Sequence, residues 1–301
     1  MPASDLAIAT YNLGKKYPGS KKFALRGLDL DIPKGEVYGF LGPNGAGKTT
    51  TIRLLMNFIQ PTTGEAKILG HDSVLDSVGI KANVGYLAGE IELYPKMTGY
   101  QFLEYMAALQ RPKRASFVNN LSRRFEVTLG QRIGRLSKGN RQKIGIIQAF
   151  MHEPDVLILD EPTAGLDPLM QEVFYELVRE TKARGATLFV SSHNLSEVQK
   201  MCDRVGFVRD GKLISEQTIG DFAKQAVQTY DIAFEDKAPL AQLRRIAGAK
   251  VTVNTPHHIT VRLKGELKPL FKLLSAHNVH SLDRRELNLE EEFLRFYRGK
   301  S

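Results

Sequence analysis

Residues 155–160 read DVLILD, an apolar run closed by a carboxylate and bounded by Pro154 and Glu161–Pro162. A run so short and continuous predicts a strand buried on both faces, as parallel sheets require. VYGFLG (37–42), EAKILG (65–70), VGYL (84–87) and ATLFVSS (186–192) predict further strands. Residues 5–34 alternate instead, and LRGLDLDI sets Leu28, Leu30 and Ile32 on one face. The segments between repeat at helical spacing. One helix is predicted from the glycines at 42–47 through TTTIRLLMNFI, broken by Pro61–Gly64. Residues 98–127 are predicted to be mostly helical. GNRQKIGIIQAFM carries Ile144, Ile147, Ala149, Phe150 and Met151 as a helix would, and helices at 168–183 and 194–201 precede the strand RVGFVRDG. Strands alternating with helices predict an α/β fold, a mostly parallel sheet covered by helices.

The pattern changes near residue 221. TYDIAFE alternates Tyr230, Ile232 and Phe234, a short helix is predicted after Pro239, and KVTVNT and HITVRLKG are strands meeting at Pro256. LKPLFKLLSAH is a second helix and VHSLDR a last strand, an order that predicts a small split βαβ module. NLEEEFLRFYR closes the chain as a helix, Asn288 as its N-cap and Glu291 at the capping-box position. Two domains are therefore expected, 1–220 and 221–301.

Composition narrows the class. The chain has 301 residues, 42% of them apolar, enough for one large domain and one small one. No apolar run is long enough to span a bilayer, and the first residues lack the pattern of a secretory signal. The single cysteine, Cys202, excludes an internal disulfide and is expected to be a small buried side chain. The net charge of +9 fits nucleic acid, an acidic membrane surface or nothing specific. With no dominant Lys/Arg block, it indicates a weak preference for anionic surroundings such as a cytosolic leaflet.

The strongest chemical signal is GPNGAGKT, comprising Gly42, Pro43, Asn44, Gly45, Ala46, Gly47, Lys48 and Thr49, with Thr50 next. It fits G-x-x-x-x-G-K-[ST] and lies between a predicted strand and a predicted helix. The glycines let backbone N–H groups surround phosphates, Lys48 supplies a point charge, and the Thr49 hydroxyl suits Mg²⁺. Asp160, at the end of the buried strand, is the second expected metal ligand. Glu161 follows it; by strand alternation it faces away from Asp160, free to polarise a water or simply to be solvated. His193 ends another buried strand and is within reach of the same cleft. The other histidines have no companions at metal-ligand spacing. LSKGN (136–140) offers a second anion site, a serine and a small turn opening a helix.

LGPNGAGKTT, LSKGNRQK, LILDEPTAGLD and SSH, in this order and spacing, resemble the nucleotide-binding subunit of an ATP-binding cassette (ABC) transporter over roughly residues 5–220. The resemblance implies a P-loop ABC ATPase domain with an antiparallel β subdomain and a helical subdomain, followed here by the small C-terminal α+β module. It implies ATP and Mg²⁺ as ligands. It also implies a head-to-tail dimer, expected to be a homodimer, with each ATP between one subunit's Lys48 loop and the other's Ser137 and Gly139. Tyr17 matches the aromatic that stacks on adenine, an exposed loop tyrosine being the alternative. Asp167 matches the loop that crosses the dimer interface, and His193 matches the switch histidine. The usual LSGGQ becomes LSKGN, with Lys138 for Gly and Asn140 for Gln. Gly89 stands where the family carries a glutamine, and Glu90 is the nearest side chain able to bind Mg²⁺ in its place. These variants are similar to exporters of drugs, antibiotics or polymers. The implied partners are transmembrane permease subunits at the cytoplasmic face of the cell membrane, docking near 89–110, though those residues also suit packing within the chain. No nucleic-acid partner is expected. The alternatives are a soluble ABC ATPase not coupled to transport and a nucleotide-binding module that does not hydrolyse.

Overall fold

The computed structural model describes residues 5–110, 115–221 and 228–285. Alternation in the first stretch produces β1 (Leu6–Lys15) and β2 (Leu25–Pro33), antiparallel, with Leu13 opposite Leu28 and Ile8 opposite Ile32. β3 (Val37–Leu41) is buried at every position and leads through the glycine loop into α1 (Lys48–Leu55). β4 (Thr63–Ile68) and the short β5 (His71–Asp72) complete a first sheet of order β2-β1-β4-β5. α2 (Ser77–Ala82), β6 (Val84–Leu87), α3 (Gly99–Gln110), α4 (Ala115–Arg124) and α5 (Lys138–Phe150) follow. Then come β7 (Val156–Asp160), α6 (Pro168–Ala183), β8 (Thr187–Ser192), α7 (Leu195–Met201), β9 (Arg204–Arg209) and β10 (Lys212–Thr218).

The second sheet has the order β10-β9-β3-β8-β7-β6. Its β9-β3-β8-β7-β6 pairings are all parallel, so β3, β7 and β8 are interior strands. This explains the unbroken apolar runs: both faces are covered, so no polar alternation survives. α1 carries Ile52, Leu54 and Leu55 into a core shared by Ile8, Leu13 and Leu28 of the first sheet and Phe40, Ile158 and Phe189 of the second.

Two local differences from the sequence expectation have physical causes. α1 stops at Leu55, well before Pro61, because Asn57 takes a left-handed φ of 52°. Phe58 N–H then donates to Arg53 O at 2.8 Å and Asn57 N–H to Leu54 O at 3.0 Å, the paired bonds of a Schellman close. α2 was not expected, since six residues are too few to show a helical period.

Close approach fixes one glycine. A Cβ on Gly85 of β6 would stand 2.1 Å from Ala149 O of α5 and 2.9 Å from the Pro154 ring. Gly85→Ala is expected to destabilise the fold by about 1–3 kcal/mol, measurable as a lower denaturation midpoint. An unchanged midpoint would show that α5 gives way without cost.

The chain forms two compact units, Met1–Gln217 and Thr218–Ser301. The second contains β11 (Gln228–Phe234), α8 (Leu240–Leu243), β12 (Ala249–Val253), β13 (His258–Leu263), α9 (Lys268–Leu274) and β14 (Val279–Arg285). Its antiparallel sheet has the order β12-β13-β11-β14, the split βαβ arrangement, over a core that includes Ile232, Val261 and Leu270. The closing helix expected from Asn288 and Glu291 lies outside the described residues. Among the described residues, no helix is long and apolar enough to cross a membrane. Cys202 is a free, buried thiol, and burial pushes its pKa up.

Candidate nucleotide site

The sequence-predicted chemistry collects at the C-terminal edge of the parallel sheet, where α/β folds place ligands. Leu41 of β3 pairs with Ser192 of β8, Asp160 of β7 with Ser191, and Leu87 of β6 with Leu159. The segments leaving these strand ends carry the glycine loop, Glu161, His193 and Gly89–Glu90.

The loop's shape depends on its glycines. Gly45 has φ 80° and Gly47, the N-cap of α1, has φ 111°, both left-handed. A Cβ on Gly42 would stand 2.4 Å from Val208 O. Pro43, Asn44, Gly45, Gly47, Lys48, Thr49, Thr50 and Glu161 line a small cavity over the start of α1, while Ala46 is buried beneath it. Lys48 is only 6% exposed. Its ammonium donates to Gly42 O at 2.7 Å and to Pro43 O at 3.3 Å, and lies 3.3 Å from Glu161 Oε1.

Asp160 is buried. The Thr49 hydroxyl donates to Asp160 Oδ2 at 2.9 Å, and the Ser191 hydroxyl donates to Oδ1. Ser191 also receives Glu161 N–H, on its backbone carbonyl and on its Oγ, both at 3.2 Å. Sequence reasoning gave Ser191 no task; a polar pair ending an otherwise apolar buried strand was the available signal. Glu161 requires a correction. Strand alternation does not set its direction, because β7 ends at Asp160 and Glu161 takes a left-handed φ of 49°. That turn swings its carboxylate over the loop, where Oε1 meets Lys48 and Oε2 bonds His193 Nδ1.

The loop after β6 runs close to Asp160. A Cβ on Gly89 would stand 3.2 Å from Asp160 Oδ2. Gly89 and Glu90 line a second cavity of about 610 Å³ with Asn44, Arg53, Lys138, Asp160, Glu161 and His193, among others. Burial, with Asp160 nearby, pushes the Tyr86 phenol of this lining up.

The remaining predicted residues stand apart from the glycine loop. Ser137 is the N-cap of α5, its Oγ accepting from Asn140 N–H at 3.2 Å. Arg141 braces the same turn through Leu136 O at 2.7 Å, and buried Gln142 ties α5 to Pro162 O at 2.8 Å. Asp167 caps α6, accepting from Met170 N–H at 3.0 Å. Ser137, Gly139, Asp167 and Tyr17 line neither cavity. Tyr17 sits in the loop after β1 with the Lys15 ammonium 5.6 Å from its ring centroid.

Thr49 Oγ1 and Asp160 Oδ2 are hard oxygen donors beside the loop, which fits Mg²⁺, an ion held by few protein oxygens plus phosphates. Among the described residues no group of three His, Cys, Asp or Glu is placed to hold a metal by itself.

A strand, a phosphate-wrapping glycine loop and a helix, with an acidic pair at the end of another strand of the same sheet, define a P-loop nucleotide-binding protein. Comparison narrows this class. The sequence profile described as ABC transporter matches residues 25–164. The ABC transporter ATP-binding protein NatA of Bacillus subtilis is 37% identical over 69% of this chain and 87% of its own length. The daunorubicin/doxorubicin resistance ATP-binding protein DrrA of Streptomyces peucetius is 30% identical over 96% of this chain and 91% of its own length. A solved ATP-binding subunit of an ABC transporter superposes with a TM-score of 0.65 at 28% identity, covering 73% of this chain and 92% of that one. The chain belongs to the family of ABC transporter ATP-binding subunits.

Proposed function

We propose that this chain hydrolyses Mg²⁺-ATP as a head-to-tail homodimer that drives the permease of an exporter. The observation that carries hydrolysis is Glu161, held between Lys48 and His193 at the mouth of the phosphate loop. Lys48 turns from Glu161 to the β- and γ-phosphates, which frees the carboxylate to orient water for in-line attack. His193 holds Glu161 from the other side and donates toward the transferred phosphoryl group. Thr49 and Asp160 would hold Mg²⁺, which spreads charge over the phosphates when bound; Glu90 is the further candidate ligand, in the place left by Gly89. Tyr17 stacks on the adenine.

The dimer is supported by Ser137 and Gly139 lining neither cavity of their own chain while heading a helix with no acidic residue in its first turn. In a facing copy these groups meet the partner's γ-phosphate. Asp167 crosses the interface, next to Leu169, which is 68% exposed. The exporter assignment is supported by relatives named for drug resistance. Phosphate release from Mg²⁺-ATP by the purified chain tests the proposal; a chain that binds ATP without turnover overturns it.

The permease docks on α3 and the turn before it. Phe102 and Leu103 are buried, while Tyr94, Tyr100, Tyr105 and Leu109 remain exposed. Tyr94 and Tyr105 meet edge to face at 6.0 Å, so part of the patch is preorganised. On this reading the subunit works at the cytoplasmic face of the membrane. Tyr100→Asp combined with Leu109→Asp is expected to reduce co-purification with the membrane subunit by about tenfold or more, the loss typical of central apolar anchors. Undiminished co-purification would put the docking surface elsewhere.

A further inference from the structure

Lys138 departs from the family pattern at a position where a small glycine is usual, and its charge has no evident use in the free chain. α5 has no acidic residue in its first turn, so no carboxylate of that turn offsets the charge Lys138 adds at the positive end of the helix dipole. Among the described residues no ion pair forms with it. Its stem lies along the turn at Gly165, where a Cβ would stand 3.5, 3.7 and 3.8 Å from Lys138 Cγ, Cδ and Cε. Gly165 itself takes a left-handed φ of 81°. The side chain lines the 610 Å³ cavity together with Asp160, Glu161 and His193 of its own chain.

Among the described residues the Glu161 carboxylate has two side-chain partners, Lys48 and His193. Lys48 divides its donors among Gly42 O, Pro43 O and Glu161. When phosphates occupy the loop and draw Lys48 to them, a largely enclosed carboxylate loses its cation. We propose that Lys138 then takes over Glu161 of its own chain, as a positioning residue that holds the carboxylate toward the attacking water. This rests on the role of Glu161 proposed above. It differs from the task of Ser137, which serves the partner's nucleotide.

The experiment is steady-state phosphate release by the full chain, comparing the unchanged protein with Lys138→Met and Lys138→Arg. Loss of one positioning charge predicts that Lys138→Met lowers kcat about tenfold with KM within about twofold, and that Lys138→Arg recovers to within about threefold. An unchanged kcat in Lys138→Met overturns the inference. A raised KM with unchanged kcat also overturns it, because Lys138 would then be contacting nucleotide. An arginine variant as poor as the methionine variant shows that charge is not the cause. If the unchanged chain releases no phosphate, the role of Glu161 falls and Lys138's with it. If only the Lys138 variants behave as the unchanged chain, Glu161 keeps its role.

Discussion

Glu161→Gln is expected to lower ATP hydrolysis by about 10²–10⁴-fold, the range for removing a positioned general base. Nucleotide affinity is expected to be no weaker than in the unchanged chain. The reason lies in the free-state geometry: Glu161 Oε1 stands 3.3 Å from the Lys48 ammonium, so the carboxylate competes with the phosphates for the same cation. An amide keeps the shape and a bond to His193 but removes the competing charge. Bound ATP is then expected to accumulate without turnover, and the proposed dimer to stay closed. Two measurements check this together, phosphate release and the mass of the ATP-loaded species. A variant that still hydrolyses, or one that loses ATP binding, would place the base elsewhere.

Mixing two inactive variants has the next largest expected effect. Lys48→Ala removes the buried cation of the phosphate loop, and Ser137→Arg blocks the α5 cap. Each alone is expected to abolish hydrolysis, because every site of the proposed homodimer needs both residues. In a hybrid dimer one site combines both lesions, while the other combines the intact Lys48 of one chain with the intact Ser137 of its mate. Random exchange then leaves about a quarter of all sites whole, and activity should recover toward that level. No recovery after demonstrated subunit exchange would refute the shared site. Recovery is not expected if the nucleotide is enclosed within one chain.

These expectations draw on different levels of the protein. VLILD, VGYL and the glycine loop were legible because local sequence alone carries their signal. A short apolar run between breakers has few ways to be anything but a strand of a covered sheet. A G-x-x-x-x-G-K-T turn between strand and helix has little backbone freedom left. The end of α1 was not legible, since the left-handed turn at Asn57 leaves no periodic trace while Pro61 offers a louder breaker. Glu161's direction could not be read from alternation for a related reason: alternation holds only while the strand lasts, and one left-handed residue resets it.

The sequence by itself determined the interior strands, most of the helices between them, the parallel sheet and which residue types line a phosphate site. These follow from short-range patterns that each segment carries alone. Only the tertiary structure decided which groups meet: Thr49 on Asp160, Lys48 on Glu161, Gly89 close against Asp160, and Lys138 laid along Gly165 toward the same cavity. The partners in the first two contacts are more than a hundred residues apart along the chain. Their meeting depends on strand order and on single backbone angles, which no local pattern encodes.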